Sequence, residues 1–423
     1  MKLNEIRLKN NLPVFLIKMP QSKTATVLVM YKTGSKYEDR KTSGLSHFLE
    51  HMFFKGTEKR PNTLVLSAEL DSIGAEFNAF TSKEYTGYYV KTPKNKIGVA
   101  VDVLSDMLTG SKFDSEEIER EKGVIIEELN MYEDNPRMHI EDVFENCLYG
   151  DTPAGWDTIG FKENILGFKR EDFIKYFNSQ YGTKSMAIFL AGNFSEKEIK
   201  KTLEDGFFKV PKNNYKNKVK VIEKQTKPTL KIKKKKTDQI TLSLGFRAFP
   251  ANHKDETALK LLSIILGGSM SSRLFIELRE RRGLAYFVRA STEFYTDSGY
   301  IVVSAGVPKT KLEESLQVIL NEYQKLKEEL VDSKELKRAK DLLAGKIIVG
   351  MEGTDDFTSW YGQQFITRNK FLSPEETLKN FKKVSAQDIQ RVAKKLFNNN
   401  GLNLAIIGDI KDNKKISNIL KIK

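Results

Sequence analysis

One cysteine, four histidines, two tryptophans and no long apolar run set the first limits on this chain of 423 residues. A lone cysteine, Cys147, excludes an intramolecular disulfide and any multi-cysteine metal cluster, and is expected as a small buried hydrophobe rather than a nucleophile. No stretch approaches the roughly 20 apolar residues of a membrane-spanning helix. Near the start, the apolar segment from Leu12 to Ile17 is short and is followed by Lys18, unlike a secretory signal. The expectation is a soluble cytoplasmic protein with no membrane partner. The length suits two domains, each with its own core.

Acid is scarce in one place. The formal charge is +14, and between Lys212 and Lys236 eleven lysines face a single acid, Glu223, so that segment alone carries +10. It holds one aromatic, Tyr215, and no arginine, a poor composition for reading or stacking nucleic-acid bases. A solvated linker that runs into an edge strand, Thr229 to Lys233, is expected there, with no nucleic-acid partner.

The scarcity of histidine makes the stretch His47-Phe48-Leu49-Glu50-His51 informative, because it spends two of the four in five residues. Residues four apart share a helix face, so both imidazoles can reach one metal ion, with Glu50 beside them as a general base for a metal-activated water. This H-x-x-E-H order is the inverted form of a zinc peptidase signature. Catalytic zinc takes three protein ligands and leaves the fourth position to water. A helix from Ile118 to Leu129 offers the third. Glu121 and Glu128 lie two turns apart on one face, so one can bind metal while the other orients a ligand from behind, and Glu127, about 100° round the helix, is the rival. His139 and His253 stand in no ligand spacing.

The chain repeats itself. A strand at Thr26–Tyr31 precedes a helix from Gly44 to Phe54, and a strand at Ile240–Phe246 precedes a helix from Glu256 to Leu266. Gly56 and Gly268 follow 212 residues apart, and the same offset pairs Tyr88-Tyr89-Val90 with Tyr300-Ile301-Val302. Asp172 to Gly192 and Asp388 to Gly408 match at an offset of 216, the slow drift that duplication with small insertions leaves. At the positions of His47, Glu50 and His51 the second half has Leu259, Leu262 and Ser263, so only the first copy carries chemistry. Long amphipathic helices, Ile97 to Leu108 and Leu312 to Leu326, mix with these strands. The fold class expected is α+β: two homologous domains, each a mixed or antiparallel sheet covered by helices, with bounds at 1–210, a lysine-rich linker and edge strand at 211–236, and a second domain at 237–423.

The segment from Gly44 to Thr57 resembles the active-site helix of the pitrilysin/insulinase family of zinc metallopeptidases, and within it the mitochondrial-processing-peptidase-like branch. The resemblance covers nearly the whole chain and implies several things. Glu128 would be the third ligand and Glu121 its supporting acid, for one Zn²⁺ per chain. Asn78, Ala79, Phe80 and Thr81 would belong to an edge strand that holds an extended peptide by backbone hydrogen bonds. Arg279 and Tyr286, spaced by seven, would stabilise the oxyanion of the scissile carbonyl. Each chain would form half of a clamshell, as a homodimer or with a related subunit, and the substrate would be a peptide or an unfolded, extended polypeptide. A non-catalytic, peptide-binding assembly subunit is the alternative, and would be expected to have lost ligands or the Arg and Tyr pair.

Overall fold

The computed structural model describes residues 3–212, 215–368, 370–410 and 412–422; Met1, Lys2, Asn213, Asn214, Asn369, Lys411 and Lys423 lie outside the described residues. The chain forms two compact units. The first comprises 1–130, 156–219 and 349–371, the second 131–155, 220–348 and 372–423. The contiguous division expected from the sequence differs from these units in two segments, 131–155 and 349–371, and packing gives the reason.

In the first unit six strands, β1 (Leu3–Arg7), β2 (Pro13–Lys18), β3 (Thr24–Tyr31), β4 (Glu76–Thr81), β5 (Thr86–Pro93) and β6 (Met186–Gly192), form one sheet in the order β1-β2-β6-β3-β5-β4. Neighbours are antiparallel except β2 and β6, which are parallel. Side chains alternate across a pleated strand, and here both faces are buried, so the central strands read as continuous apolar runs. Val27, Val29, Ile188 and Leu190 enter one core, with the helices Leu45–Met52, Ile97–Gly110 and Glu196–Phe207. Leu28, Met30, Phe189 and Ala191 enter a second core, against the helix Thr354–Thr367 through Phe357, Tyr361 and Ile366. Thr354 and Thr26 also share a buried hydroxyl hydrogen bond of 2.8 Å.

The second unit repeats this plan without the outermost strand. Strands β7 (Thr229–Lys233), β8 (Gln239–Arg247), β9 (Phe287–Phe294), β10 (Gly299–Pro308) and β11 (Leu402–Ile407) run in the order β7-β11-β8-β10-β9, again with one parallel pair, β11 and β7, at the same place. Leu242, Leu244, Leu404 and Ile406 face one core with Glu256–Gly267 and Leu312–Glu328. Tyr300, Val302, Ala405 and Ile407 face the other, which the helix Pro136–Tyr149 closes with Ile140, Phe144 and Leu148. The two covering helices are therefore exchanged: each lies in one half of the sequence and packs on the sheet built by the other half.

The mixed, helix-covered sheets and the duplication are as the sequence indicates, and Leu259 and Leu262, which the offset of 212 sets against His47 and Glu50, are fully buried core residues. The lysine run differs from a wholly solvated linker. Lys218 is nearly buried against Glu84 at 3.1 Å, Lys216 pairs with Asp39, and Lys233 and Lys235 pair with Glu133 and Asp134. Thr229–Lys233 is an edge strand, as its alternating pattern indicates. Among the described residues no helix is long and apolar enough to cross a membrane.

Candidate metal centre

The motif helix, Leu45–Met52, is set by its apolar residues: Leu45, Phe48, Leu49 and Met52 follow the i, i+3, i+4, i+7 pattern and are buried. That seats the helix and turns His47, Glu50 and His51, all half-buried, to the opposite side. Its N-cap is Gly44, at φ 104°, where a Cβ would come within 2.9 Å of the Ile159 carbonyl oxygen. The first-turn N–H groups find a partner far back in the chain: the Glu38 carboxylate accepts from Gly44 N at 2.8 Å and from Ser46 N at 2.6 Å. Burial pushes the Glu38 carboxyl up to about 8 even though these two bonds and the Lys83 ammonium pull it down. Its ionised form, which predominates only above that value, faces the positive end of the helix dipole. Ser46 Oγ is fixed in turn by Tyr176 Oη at 2.8 Å.

The third group comes from the helix Ser115–Asp134. His47 Nε2 and His51 Nε2 lie 3.6 and 3.5 Å from the same oxygen, Oε2 of Glu128, and a donor atom from each of the three residues lies within 4.8 Å of the others. Two ligand atoms on a tetrahedral zinc, each at about 2.0–2.1 Å, stand roughly 3.3 Å apart, so these spacings fit that ion. The donor set fits as well: two imidazoles and one carboxylate leave a coordination position open. The rival, Glu127, is exposed to solvent and accepts a hydrogen bond from Asn130 Nδ2 at 3.5 Å.

Glu121 stands behind His51, with Oε1 2.9 Å from Nδ1, and its other oxygen is 2.5 Å from the Lys55 ammonium. Burial raises the Glu121 carboxyl, but the bonds from His51 and Lys55 outweigh it and hold it below the usual carboxylate range. The neighbouring imidazoles, His47 first and then His51, hold Glu128 far below that range. His51 carries the balance. Burial lowers its pKa, but Glu121 and Glu128 together raise it to about 9, so without a metal the imidazole keeps a proton at neutral pH. Two buried polar atoms, Glu50 Oε2 and His47 Nδ1, have no hydrogen-bond partner among the described residues. A carboxylate on the same helix as both imidazoles, one residue before His51 and with an oxygen free of protein partners among the described residues, is the kind of group a base for an incoming water would need.

The remaining candidates fall in two places. Asn78, Ala79, Phe80 and Thr81 form most of β4, an edge strand beside the motif helix: Thr81 Oγ1 reaches the Ser46 carbonyl at 3.5 Å. Asn78 is exposed, and its own Oδ1 accepts the Ala79 N–H at 2.9 Å. In the second unit Arg279 ends a π-helical turn, Phe275–Glu280, and donates from Nη1 to the Tyr286 carbonyl at 3.0 Å, while the Tyr286 ring is 71% exposed. His139 is buried beside Lys233, and His253 stacks on Phe249. Sequence reasoning passed over Glu38 and Lys55. The signal for Lys55 is its spacing of four from His51; for Glu38 the chain offers no local one, because the cap is reached across a turn.

Comparison with known proteins follows the same lines. Residues 13–160 match the family described as insulinase (peptidase family M16), and residues 167–343 match the peptidase M16 inactive domain, a stretch that includes Leu259, Leu262 and Ser263. A Bacillus subtilis protein described as an uncharacterized zinc protease, YmxG, is 34% identical over 92% of this chain and 94% of its own length. A Rickettsia felis protein of the same description is 33% identical over 93% of this chain and 95% of its own. Among solved structures, a protease from Helicobacter pylori superposes with a TM-score of 0.89 at 24% identity, covering 96% of this chain and 99% of that one. A Pseudomonas fluorescens structure described as a peptidase M16 inactive domain gives 0.89 at 16% identity, over 98% and 99%, a likeness of fold.

Proposed function

Because the chain belongs to the insulinase family of peptidases, M16, we propose that it is a zinc-dependent metalloendopeptidase acting on peptides or unfolded, extended segments of polypeptide. The observation that carries this reading is the convergence of His47, His51 and Glu128 on one point, with the partnerless Glu50 oxygen on the same helix. Those three residues would hold one zinc ion. Bound there, the ion would supply a Lewis acid that polarises the scissile carbonyl and makes the attacking water acidic.

The chain's own groups do the rest. Glu50 takes a proton from the water as its oxygen bonds to the carbonyl carbon, and delivers that proton to the departing nitrogen as the C–N bond breaks. Glu121 holds His51 with Nε2 toward the ion, the role of a carboxylate behind a ligand imidazole. β4 offers a free edge, among the described residues, to which an extended substrate could add as a further strand near Glu50. Arg279 and Tyr286 supply the donors for the developing oxyanion, on the zinc site of a second copy or a related subunit. A non-catalytic assembly subunit would share this fold, but it would have no need of a complete donor set with a free base beside it.

Replacing Glu50 by Gln is the direct test. It removes the base without touching a ligand, so hydrolysis of a mixed peptide library should fall to background while metal analysis still finds one zinc per chain. Loss of zinc from that variant would mean that Glu50 coordinates, and retained hydrolysis would overturn the mechanism.

A further inference from the structure

Lys55 lies one turn beyond His51, where the motif helix ends. Its N–H closes the last turn on the Met52 carbonyl at 3.1 Å. The next residue, Gly56, has φ 124°, and a Cβ there would sit 2.5 Å from the Pro61 carbonyl oxygen and 2.7 Å from its carbon. Only glycine fits, so the chain turns at this point, and the Lys55 side chain takes the direction of the neighbouring helix Ser115–Asp134. That direction brings its ammonium 2.5 Å from Oε2 of Glu121, whose Oε1 meets His51 Nδ1 at 2.9 Å. The Glu121 side chain is 5% exposed and that of Lys55 is 22% exposed.

We propose that Lys55 is a positioning residue for the metal centre, acting through Glu121: it clamps the outer oxygen of that carboxylate so that the inner one stays on Nδ1 of His51. The proposal rests on the metal-binding reading of His47, His51 and Glu128. The physical need is specific. A buried carboxylate bonded through one oxygen can rotate about its terminal torsion, which is soft, and swing off the imidazole. It also leaves the outer oxygen of a buried carboxylate, close to the Glu128 carboxylate on the same helix, without a charge of its own to pair with. A cation on the outer oxygen answers both needs, with a charge-assisted bond of definite direction. Among the described residues His47 has no such brace, its Nδ1 being without a partner, so His51 is the imidazole of the pair that is held from behind.

The test measures zinc affinity rather than turnover. The full-length protein, stripped of metal, is titrated with zinc against a chelator of known affinity, for the unaltered chain and for Lys55→Met, Lys55→Arg, Glu121→Gln, the double variant Lys55→Met/Glu121→Gln, and His51→Ala. Losing a group behind a ligand typically weakens metal binding 10- to 100-fold. Lys55→Met should weaken zinc about tenfold, Lys55→Arg should stay within about threefold of the unaltered chain because its guanidinium can take the same oxygen, and Lys55→Met should add nothing in the Glu121→Gln background. A merely structural lysine would lower the melting temperature of the metal-free protein in both backgrounds, and its effect would add to that of Glu121→Gln. The proposal is overturned if Lys55→Met binds zinc as tightly as the unaltered chain while His51→Ala has lost it, or if the Lys55 and Glu121 losses multiply. If His51→Ala keeps full affinity, the metal-binding reading itself fails.

Discussion

A proton and a zinc ion should compete for His51, and the competition can be sized. In the metal-free fold Glu121 and Glu128 raise the imidazole pKa from 6.5 to about 9 against the opposing effect of burial. A histidine must be neutral to ligate, so zinc has to displace that proton at every pH below about 9. Each pH unit below this value costs about 1.4 kcal/mol of apparent binding, a factor of ten in affinity. From pH 9 down to 6.5 the accumulated loss is about 3 kcal/mol, a few hundredfold. The sign for the metal-free protein follows from the same shift. A raised folded pKa stabilises the fold fully below 6.5, and the benefit is lost as pH rises through about 9. Chelator competition at pH 7, 8 and 9 should show zinc binding tightening about tenfold per unit, and calorimetry in buffers of different ionisation enthalpy should show about one proton released from His51 per zinc at neutral pH. In Glu121→Gln one of the two supporting carboxylates is gone, so the affinity should level off at lower pH. Zinc affinity that does not change between pH 7 and 9 would refute the reasoning.

Three further outcomes are expected. Glu128→Gln should weaken zinc binding severely, whereas Glu127→Gln, on the solvent side of the same helix, should leave it unchanged in the titration; the reverse would put the helical phase out by one residue. Mixing inactive Glu50→Gln protein with inactive Tyr286→Phe protein under conditions that exchange subunits should regenerate peptidase activity, since one composite site would receive both intact residues, and no recovery despite measured exchange would rule out action across a dimer. Burial pushes the Cys147 thiol up to about 12, so a thiol-directed reagent at pH 8 should label the protein in denaturant but not in the native state; rapid native labelling would contradict its packing under Leu404.

What could be read in the sequence was what depends on periodicity along one stretch of chain. His47, Glu50 and His51 face away from the core because the apolar residues between them take the other side of the helix, and the same geometry separates Glu128 from Glu127. Tyr88 and Tyr300 do not share a strand position: Tyr88 lies opposite Val29 and faces the core of the motif helix, whereas Tyr300 lies opposite Arg247 and faces the core closed by Pro136–Tyr149. The duplication was legible because β3 and β8 keep similar apolar runs. Glu38 and Lys55 were not, since each matters through a partner that only folding brings near: two backbone N–H groups across a turn for one, a carboxylate on another helix for the other. Nor was the destination of the helices Pro136–Tyr149 and Thr354–Thr367. An apolar stripe states that a helix must be covered, but not by which sheet, and the two sheets offer similar faces. The fit is close where the helix lies: at Gly362 a Cβ would stand 3.0 Å from Leu28 Cδ2 and 3.2 Å from Met30 Cγ, so a larger residue would have to displace a neighbour.

The exchange of those two helices has a consequence in time. The sheet of the first unit is complete on the ribosome once Gly192 has been made, but the helix that seals its second face ends at Thr367. At about 5–20 residues per second, Leu28, Met30 and Phe189 wait roughly ten to thirty seconds for Phe357 and Tyr361 to be synthesised. For the other sheet the order is reversed: Phe144 and Leu148 are made before any strand they cover. A newborn chain therefore carries an uncovered apolar face for most of its synthesis, first, from Pro136 onward, on a helix without its sheet and then, from Gly192 onward, also on a sheet without its helix. The interval in which chaperones must guard it is written into the order of the segments rather than into the composition of any one of them.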